Sequence, residues 1–285
     1  MSCRNSAPCL AFFALTCVLS TAQSIVSLPP SAGVSILKSS LNRRSAVQLR
    51  TSEYVVPELI IGGEWTSTIK LTNRGSVPIT ATDVYFVDNL GNDMLATFQT
   101  TAGPVITDNG FSFSLPVGSL LEVTFIGGKD ALFGHGIIDF CSTPSGCFTA
   151  GVYAEVILRN RNSTRPDFES VFPLERPATT QYMLFDGRAG VTTLLYLVNN
   201  NVVTNGATIE VINSSNVSLR TVPLSFSGLE SKLLTLHVLA PETNGIQGTL
   251  VIRALPSSIP LMTATALRIS PSNSFTPLRT FIPAP

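Results

Sequence analysis

Short runs in which apolar and polar side chains alternate recur along most of this chain. In residues 65–73, Trp65, Ile69 and Leu71 would lie on one face of an extended strand, with threonines and a lysine on the other. An alternation of period two is typical of a β-strand that buries one face. Because such runs return about every 8–12 residues between Gly, Pro, Asn and Asp, they indicate antiparallel sandwiches rather than βαβ units.

The second half of the chain repeats the plan of the first. A strand that ends at Asn73 has a counterpart that ends at Asn199, and each asparagine opens a turn. The later segments correspond in the same order: 81–87 with 207–212, 88–93 with 213–216, 120–126 with 233–239, and 136–140 with 248–252. We therefore predict an all-β fold of two tandem antiparallel, immunoglobulin-like β-sandwich domains, at residues 53–175 and 176–285. The length of 285 residues suits two domains of roughly 100–125 residues each.

The amino-terminal residues have the pattern of a cleaved secretory signal peptide, which we place at residues 1–22. Arg4 precedes an apolar run over residues 10–19, and small residues precede Gln23. That run is about half of the ~20 apolar residues that span a bilayer, so a leader is favoured over a membrane anchor. Residues 23–52 are Ser-rich and without a regular period, and are expected to form a flexible or edge-lying lead-in. The mature protein is therefore expected to be secreted or periplasmic.

Cys141 and Cys147 are the only cysteines beyond the predicted leader. The segment between them contains a Pro and a Gly, as a tight turn requires, and an oxidising compartment would keep a disulfide formed. A loop this short would gain roughly 2 kcal/mol from the bridge. A redox-active or metal-binding pair is the alternative, but five intervening residues do not match the spacing of redox dithiols. We predict a structural disulfide between Cys141 and Cys147.

The composition predicts a folded protein without an affinity for nucleic acid. Eighteen basic residues balance 18 acidic ones, so no positive field would attract phosphates. Hydrophobic residues make up 44% of the chain and charged residues 13%, which is enough apolar material to bury real cores. The charge balance indicates no particular partner.

Motifs for catalysis, metals or cofactors are missing from the sequence. There is no Gly-x-Ser-x-Gly nucleophile elbow, no phosphate-binding loop and no zinc-ligand cluster. Of the two histidines, His135 lies between glycines and is interpreted as a turn residue, and His237 as a solvated strand position. Residues 88–93 resemble a calcium loop superficially, but their Asn, Asp and Gly residues are more typical of a hairpin tip.

Paired carboxylates are the remaining route to an enzyme, because two acidic side chains can hydrolyse glycosides. The candidates of the right type are Asp83, Asp88, Asp108, Asp130, Asp139, Glu155 and Glu169. Their spacing along the chain pairs none of them, and acidic residues more often solvate loops and outer strand faces. The basic stretch at 159–165 and the single tryptophan, Trp65, are likewise interpreted as a solvated hairpin and the start of a core strand.

The chain resembles uncharacterised secreted bacterial proteins built from two tandem β-sandwich repeats. The resemblance rests on the Ile-Ile-Gly-Gly-Glu-Trp stretch at 60–65, before the strand that ends at Asn73, and on the closing strand at 165–174. It covers residues 57–283 and implies a fold and a compartment but no assigned activity, so no site residue is carried over. The loop from Cys141 to Cys147 is extra relative to that pattern.

A non-enzymatic binding or structural module of the cell envelope or extracellular space is the function that these features favour. Sandwich loops are common binding surfaces, and the sequence supplies them without a catalytic constellation. The partner would be a protein or a glycan. Two alternatives remain: a glycan-active enzyme or accessory domain that uses carboxylates, and a periplasmic assembly chaperone that completes a client's sheet through a free edge strand.

Overall fold

The computed structural model describes residues 35–38, 53–101, 103–139, 151–161, 167–256, 262–272 and 274–282. The predicted signal peptide at residues 1–22 and the predicted disulfide between Cys141 and Cys147 lie outside the described residues. Within the described part, no helix is both long and apolar enough to cross a membrane.

The regular structure of the described chain is nearly all β-strand in antiparallel sheets, which confirms the predicted all-β sandwich class. The strands are β1 Ser35–Lys38, β2 Glu53–Ile61, β3 Trp65–Asn73, β4 Ile79–Asp88, β5 Ala96–Thr100, β6 Val105–Asp108, β7 Gly110–Leu115, β8 Leu120–Ile126, β9 Leu132–Asp139, β10 Val152–Asn160, β11 Phe168–Pro173, β12 Thr180–Asp186, β13 Thr192–Asn199, β14 Asn205–Asn213, β15 Ser218–Phe226, β16 Ser231–Thr235, β17 Gln247–Leu255, β18 Met262–Ile269, β19 Phe275–Leu278 and β20 Thr280–Phe281. One short helix, α1, spans Leu236–Leu239. Single 3-10 turns span Arg188–Gly190 and Pro241–Thr243.

The strands form four antiparallel sheets that pack as two pairs. Sheet A has the order β1-β7-β4-β9-β2 and sheet B the order β11-β10-β3-β8-β5-β6; sheet C is β15-β14-β17-β12-β20 and sheet D is β16-β13-β18-β19. Buried residues of sheets A and B share one apolar core, to which Leu267 of sheet D also belongs, and most other buried apolar residues of sheets C and D share another. β1 lies within the segment expected to be a lead-in, and it pairs with β7 at the edge of sheet A.

The strand order confirms the internal repeat. The order β7-β4-β9-β2 in sheet A matches β15-β14-β17-β12 in sheet C, and β11-β10-β3-β8 in sheet B matches β19-β18-β13-β16 in sheet D. The first pair adds β1 and the β5–β6 hairpin, and the second adds β20 and helix α1. The residues predicted as one strand at 233–239 therefore divide into the end of β16 and a helical turn. A short apolar run is compatible with either structure, which is why the prediction of a continuous strand was wrong there.

The asparagine that ends β3 is tied into the first core by three hydrogen bonds. The Asn73 side-chain amide donates to the carbonyls of Val77 and Leu115, at 2.9 Å each, and its oxygen accepts from the Gly75 amide at 2.9 Å. Asn199 makes the equivalent bonds at the end of β13, at 3.0, 2.7 and 3.1 Å. Both asparagines are almost fully buried. The repeat is thus a repeat of interactions as well as of strand order.

The hairpin tips that follow are also equivalent. The Asp88 carboxylate accepts from the amides of Leu90 and Asn92 at 2.9 and 2.8 Å. The side chain of Asn213 accepts from the amides two and four residues later at 3.0 and 2.9 Å. Such side-chain-to-backbone bonds stabilise turns locally. Residues 88–93 therefore form a hairpin tip, as the sequence predicted, and the side-chain oxygen of Asp88 accepts hydrogen bonds within the turn. Among the described residues there is no group of three potential metal ligands.

The glycines at the start of β9 and β17 show where sequence matching misaligned the repeats. Asp88 pairs with Gly134, and Asn213 pairs with Gly248, so Gly134 is the counterpart of Gly248. The sequence comparison had matched Gly248 with Gly136 instead. A side chain at Gly134 or Gly248 would place its Cβ 2.2 or 2.0 Å from a carbonyl oxygen of the neighbouring strand. Glycine is therefore required at both positions because the backbone of the neighbouring strand lies too close for any side chain, a requirement that the surrounding apolar pattern does not show.

Candidate functional site

The two pairs of sheets meet at a junction between the outer faces of sheets A and D. Val55 of β2 packs with Tyr196 and Val198 of β13 in a small buried cluster. Because alternate residues of a strand face opposite sides, these three point away from the cores to which their neighbours belong. The Tyr196 hydroxyl donates to the Gly134 carbonyl at 2.9 Å, and Val55 exchanges two backbone hydrogen bonds with Glu175 at 2.8 and 3.1 Å.

Trp65 lies at the edge of this junction. It begins β3, as predicted, but its side chain is half-buried. The indole packs edge-on against Phe168 and Phe275, with ring centroids 6.5 and 6.3 Å away. Phe275 belongs to β19 of the second pair of sheets, so the single tryptophan contacts both halves of the protein.

A groove of about 790 Å³, which we name the junction groove, lies on this side of the molecule. It lies between the outer face of sheet B and residues 277–280 near the carboxyl terminus. Its charged and aromatic lining residues are Lys70, Arg74, Tyr153, Glu155, Glu175 and Arg279. A cavity of this size between two units of a fold is the usual place for a ligand site.

The alternation of β3 and β10 explains why polar side chains line the sheet side of the groove. Ile69 and Leu71 of β3 are buried in the core, so Lys70 between them faces outward. In the antiparallel register Lys70 pairs with Glu155 of β10. The Lys70 ammonium also lies 2.9 Å from a carboxylate oxygen of Glu122 on β8. On this surface of sheet B the positive charge of Lys70 is therefore balanced by the neighbouring carboxylates of Glu155 and Glu122.

Arg74 and Tyr153 form the aromatic part of the groove. The Arg74 guanidinium carbon lies 5.6 Å from the centroid of the Tyr153 ring, within the range of a cation–π contact. Tyr153 is 65% exposed, although it lies within strand β10. An exposed ring held by a cation offers a flat surface to a sugar ring or to a peptide side chain.

Glu175 supplies an unusual carboxyl group to the lining of the groove. Burial raises its pKa to about 7, although a hydrogen bond from Thr280 and the positive charge of Arg279 act in the opposite direction. Its backbone is fixed by the pairing with Val55. The groove therefore holds a carboxyl group that is partly protonated near neutral pH, in addition to Glu155.

Of the seven carboxylates considered from the sequence, Glu155 is the one that lines the junction groove. Asp83 and Asp139 are cross-strand neighbours on β4 and β9, and Asp139 is almost fully buried. Neither of them lines the groove. The remaining four are accounted for locally: Asp88 and Asp108 accept hydrogen bonds at turns, Glu169 pairs with Arg159, and Asp130 is exposed on a loop.

Both histidines lie in places that the sequence did not predict. His135 is inside β9 and completely buried, rather than in a turn, because its flanking glycines allow close strand packing. Neither ring nitrogen has a hydrogen-bond partner among the described residues. Burial lowers the pKa of His135 to about 3, with Asp88 opposing that shift. His237 is exposed, but it lies on helix α1 and not on a strand.

Most residues of the groove escaped the sequence analysis. Lys70, Arg74, Glu175 and Arg279 belong to three separate segments and to no motif, and only the fold brings them together. The one available signal was Tyr153, an aromatic residue placed on the polar face of an alternating strand. No protein-family model, no curated protein and no solved structure matches this chain.

Proposed function

We propose that this protein is an exported, non-enzymatic binding module whose partner, a protein or a glycan, lies in the junction groove. The observation that carries the proposal is the Arg74–Tyr153 contact on the face of sheet B, in a groove that Arg279 also lines. Sites on regular strands hold their side chains in a fixed geometry, which lowers the entropic cost of binding. The leader-like amino terminus and the resemblance to secreted bacterial tandem sandwiches support a place in the cell envelope or extracellular space.

The chemistry of the groove favours an extended ligand that carries carboxylate groups. Lys70 already pairs with Glu122 at 2.9 Å. In contrast, Arg74 lies over the Tyr153 ring, and Arg279 interacts electrostatically with Glu175, which is partly protonated near neutral pH. Neither arginine has a carboxylate oxygen within 4 Å in the described part of the chain. Guanidinium groups bind carboxylates through two parallel hydrogen bonds. Acidic oligosaccharides and acidic peptides both present such groups at the spacing of an elongated groove.

Binding of acidic ligands is expected to depend on Arg74 and Tyr153, which contact each other in the groove. With the mature protein, Arg74→Ala and Tyr153→Ala should each weaken binding at least about tenfold, which corresponds to about 1.4 kcal/mol. Arrays of acidic oligosaccharides and peptides would first identify a ligand, and isothermal titration calorimetry would then measure its dissociation constant for each variant. Arg159→Ala is the matched control, because Arg159 is also an exposed arginine on sheet B but pairs with Glu169 outside the groove. Equal losses in the control and in Arg74→Ala would contradict the assignment.

A glycan-hydrolysing enzyme is the second candidate, and one observation favours it. Glu155 pairs in register with Pro173, so Glu175 lies two residues further along the neighbouring segment. Two carboxyl groups in one groove, one of them with a pKa raised to about 7, are the arrangement that glycoside hydrolysis uses.

Hydrolysis and simple binding predict different results for the same variants. If the groove is only a binding site, acidic oligosaccharides will be recovered intact after prolonged incubation, as judged by mass spectrometry. Glu155→Gln would then change affinity by a few-fold at most. Turnover that Glu155→Gln and Glu175→Gln both reduce by more than about a hundredfold would instead establish the enzyme. The exposed Glu169→Gln serves as the control for both measurements.

The assembly-chaperone alternative receives less support from the arrangement of strands. A long edge strand exists in β15, which is paired on one side by β14. However, β15 contains Pro223, which has no backbone N–H to offer to a further strand. β15 also lies far from the groove within sheet C, because the strand that borders the groove is β20, at the other edge. Proline on an edge strand is a device that discourages further strand pairing.

A further inference from the structure

A second cavity lies at the junction and contains a buried acid. The cavity, which we name the Glu58 pocket, has a volume of about 240 Å³ and is lined by Glu58, Phe133, Gly134, Tyr196, Ser231 and Leu233, among others. These residues come from both pairs of sheets. Drug-sized ligands usually need about 300–1,000 Å³, so this pocket suits a single side chain or a small amine.

Glu58 is the charged group of the pocket. Glu58 is only 4% exposed. None of the described residues donates a hydrogen bond to its carboxyl group or forms an ion pair with it. Burying an acid without a partner is unfavourable, and it usually responds by holding its proton. Burial accordingly raises the pKa of Glu58 to about 7.

The comparison between the two repeats shows that the fold does not require this acid. β2 pairs with β9 through a bulge between Val56 and Leu59, which contains Pro57 and Glu58. The equivalent pairing of β12 with β17 runs without any shift of register. A bulge adds a residue and redirects a side chain, and such features often mark functional positions. The first half thus carries an insertion whose effect is to place a carboxyl group in the pocket.

The hydroxyl groups that line the pocket form hydrogen bonds with one another and not with the Glu58 carboxyl group. The Tyr196 hydroxyl donates to the Gly134 carbonyl and lies 2.8 Å from the Ser231 hydroxyl, so its own hydrogen-bonding capacity is used. Burial raises the pKa of Tyr196, and the nearby Glu58 raises it further, so the phenol stays neutral. Phe133 and Leu233 are 45% and 48% exposed and provide apolar surface at the cavity.

We propose that the Glu58 pocket binds a primary ammonium group on an aliphatic stem, such as a lysine side chain of a partner polypeptide. The ammonium would pair with the Glu58 carboxylate, and the methylene groups would pack against Phe133 and Leu233. Lysine side chains bury their stems against apolar surface in this way, and the Phe133 ring adds an aromatic face for a cation–π contact. This site is separate from the junction groove and does not depend on the function proposed for it.

The pH dependence of binding follows from the ionisation of Glu58. A cation binds the carboxylate and not the protonated acid, so binding should tighten as the pH rises from 6 to 8 and should release a proton. Two other titratable groups close to the pocket, Tyr196 and His135, stay neutral over this range and contribute no change of charge. The charged groups next to lining residues are Asp88, beside Asn89, and Glu230 and Lys232, which flank Ser231 and form an ion pair with each other at 3.0 Å.

The test uses the full mature protein and Nα-acetyl-lysine methylamide as the probe, with the norleucine analogue as an uncharged control of nearly the same shape. NMR titration should show millimolar binding of the lysine compound, at least tenfold weaker binding of the norleucine compound, and tighter binding at pH 8 than at pH 6. Glu58→Gln should weaken lysine binding at least tenfold and abolish its pH dependence, whereas Glu169→Gln should leave both unchanged. Far-ultraviolet circular dichroism checks that Glu58→Gln is folded.

Three outcomes would overturn the proposal: no binding of the lysine probe by the folded wild-type protein, equal binding of the norleucine analogue, or equal binding by Glu58→Gln. An arginine analogue that binds at least tenfold more tightly would overturn the choice of ammonium over guanidinium. Because these probes carry no carboxylate, their failure leaves the junction groove proposal untouched.

Discussion

Replacing Asn73 by alanine is expected to lower the free energy of unfolding by about 3–5 kcal/mol. The substitution leaves the carbonyls of Val77 and Leu115 and the amide of Gly75 without their partner. The bond to Leu115 is buried and the other two are partly buried. A buried polar group that loses its hydrogen bond costs about 1–3 kcal/mol, and water cannot easily replace a side chain that is 1% exposed. Against a typical total stability of 5–15 kcal/mol, this is one of the largest effects expected of a polar substitution.

Urea denaturation followed by tryptophan fluorescence and circular dichroism would measure the loss. Asn92→Ala is the matched control, because Asn92 is exposed and its side chain makes one long bond, 3.2 Å, to Asp88. That variant should change stability by less than about 1 kcal/mol. A loss below about 1 kcal/mol for Asn73→Ala would show that the three bonds are not a structural requirement of the repeat.

Asn199→Ala provides the corresponding test in the second half. Its three bonds match those of Asn73, and its oxygen also accepts from Asn205 at 3.1 Å. If the predicted domains at 53–175 and 176–285 unfold separately, each substitution will shift one transition and leave the other in place. A single transition that both substitutions shift would mean that the buried junction couples the two halves into one cooperative unit.

Acid is expected to destabilise the protein through His135, by at most about 5 kcal/mol. The pKa of His135 is about 3 in the folded protein against an ordinary value of 6.5, and that difference of about 3.5 corresponds to about 5 kcal/mol. A folded-state pKa below the unfolded value means that the unfolded chain binds the proton first. The stability due to neutral His135 is therefore complete above pH 6.5 and is lost progressively as the pH falls towards 3.

Two carboxyl groups act in the opposite direction over part of this range. Glu58 and Glu175 have folded-state pKa values of about 7 against 4.5, so protonating them favours the folded protein as the pH falls from 7 to 4.5. Below pH 4.5 their contribution no longer changes. Between pH 4.5 and 3 His135 then contributes about 1.4 kcal/mol for each pH unit. The carboxyl groups of Asp186, Glu210 and Glu242, whose pKa values are lowered by hydrogen bonds and by their arginine partners, add a loss of the same sign, so a variant that lacks His135 is needed to separate its share.

His135→Thr is the informative variant, because Thr249 occupies the equivalent position in the second half. Its unfolding free energy, measured by urea denaturation, should fall less steeply than that of the wild type between pH 4.5 and 3. The cavity left by the smaller side chain would add a loss that does not depend on pH. His237→Thr, on the exposed helix, should retain the wild-type slope. Equal slopes for His135→Thr and the wild type would show that His135 is not held neutral.

The site could be predicted from the sequence only to a small extent. Glu155 was among the candidate carboxylates, but its place in a groove with Arg279 depends on contacts between segments more than 120 residues apart along the printed sequence. No sequence motif includes Glu58, although an isolated acid within the apolar run from Val55 to Ile61 is a visible irregularity. A bulge changes which face a side chain reaches, so period-two reasoning fails at that point.

The fold, in contrast, follows largely from local patterns. Alternation along residues 65–73 and the turn-forming residues at 88–93 depend on the pleat of a strand and on backbone angles, which are properties of short segments. The two asparagines were visible as a repeat for the same reason. By itself the sequence therefore determined that the chain forms antiparallel strands in two similar series. The tertiary structure alone decided that His135 and Glu58 are buried and that Arg74, Tyr153 and Arg279 share a groove, because burial and proximity depend on how distant sheets pack, and no local period records that.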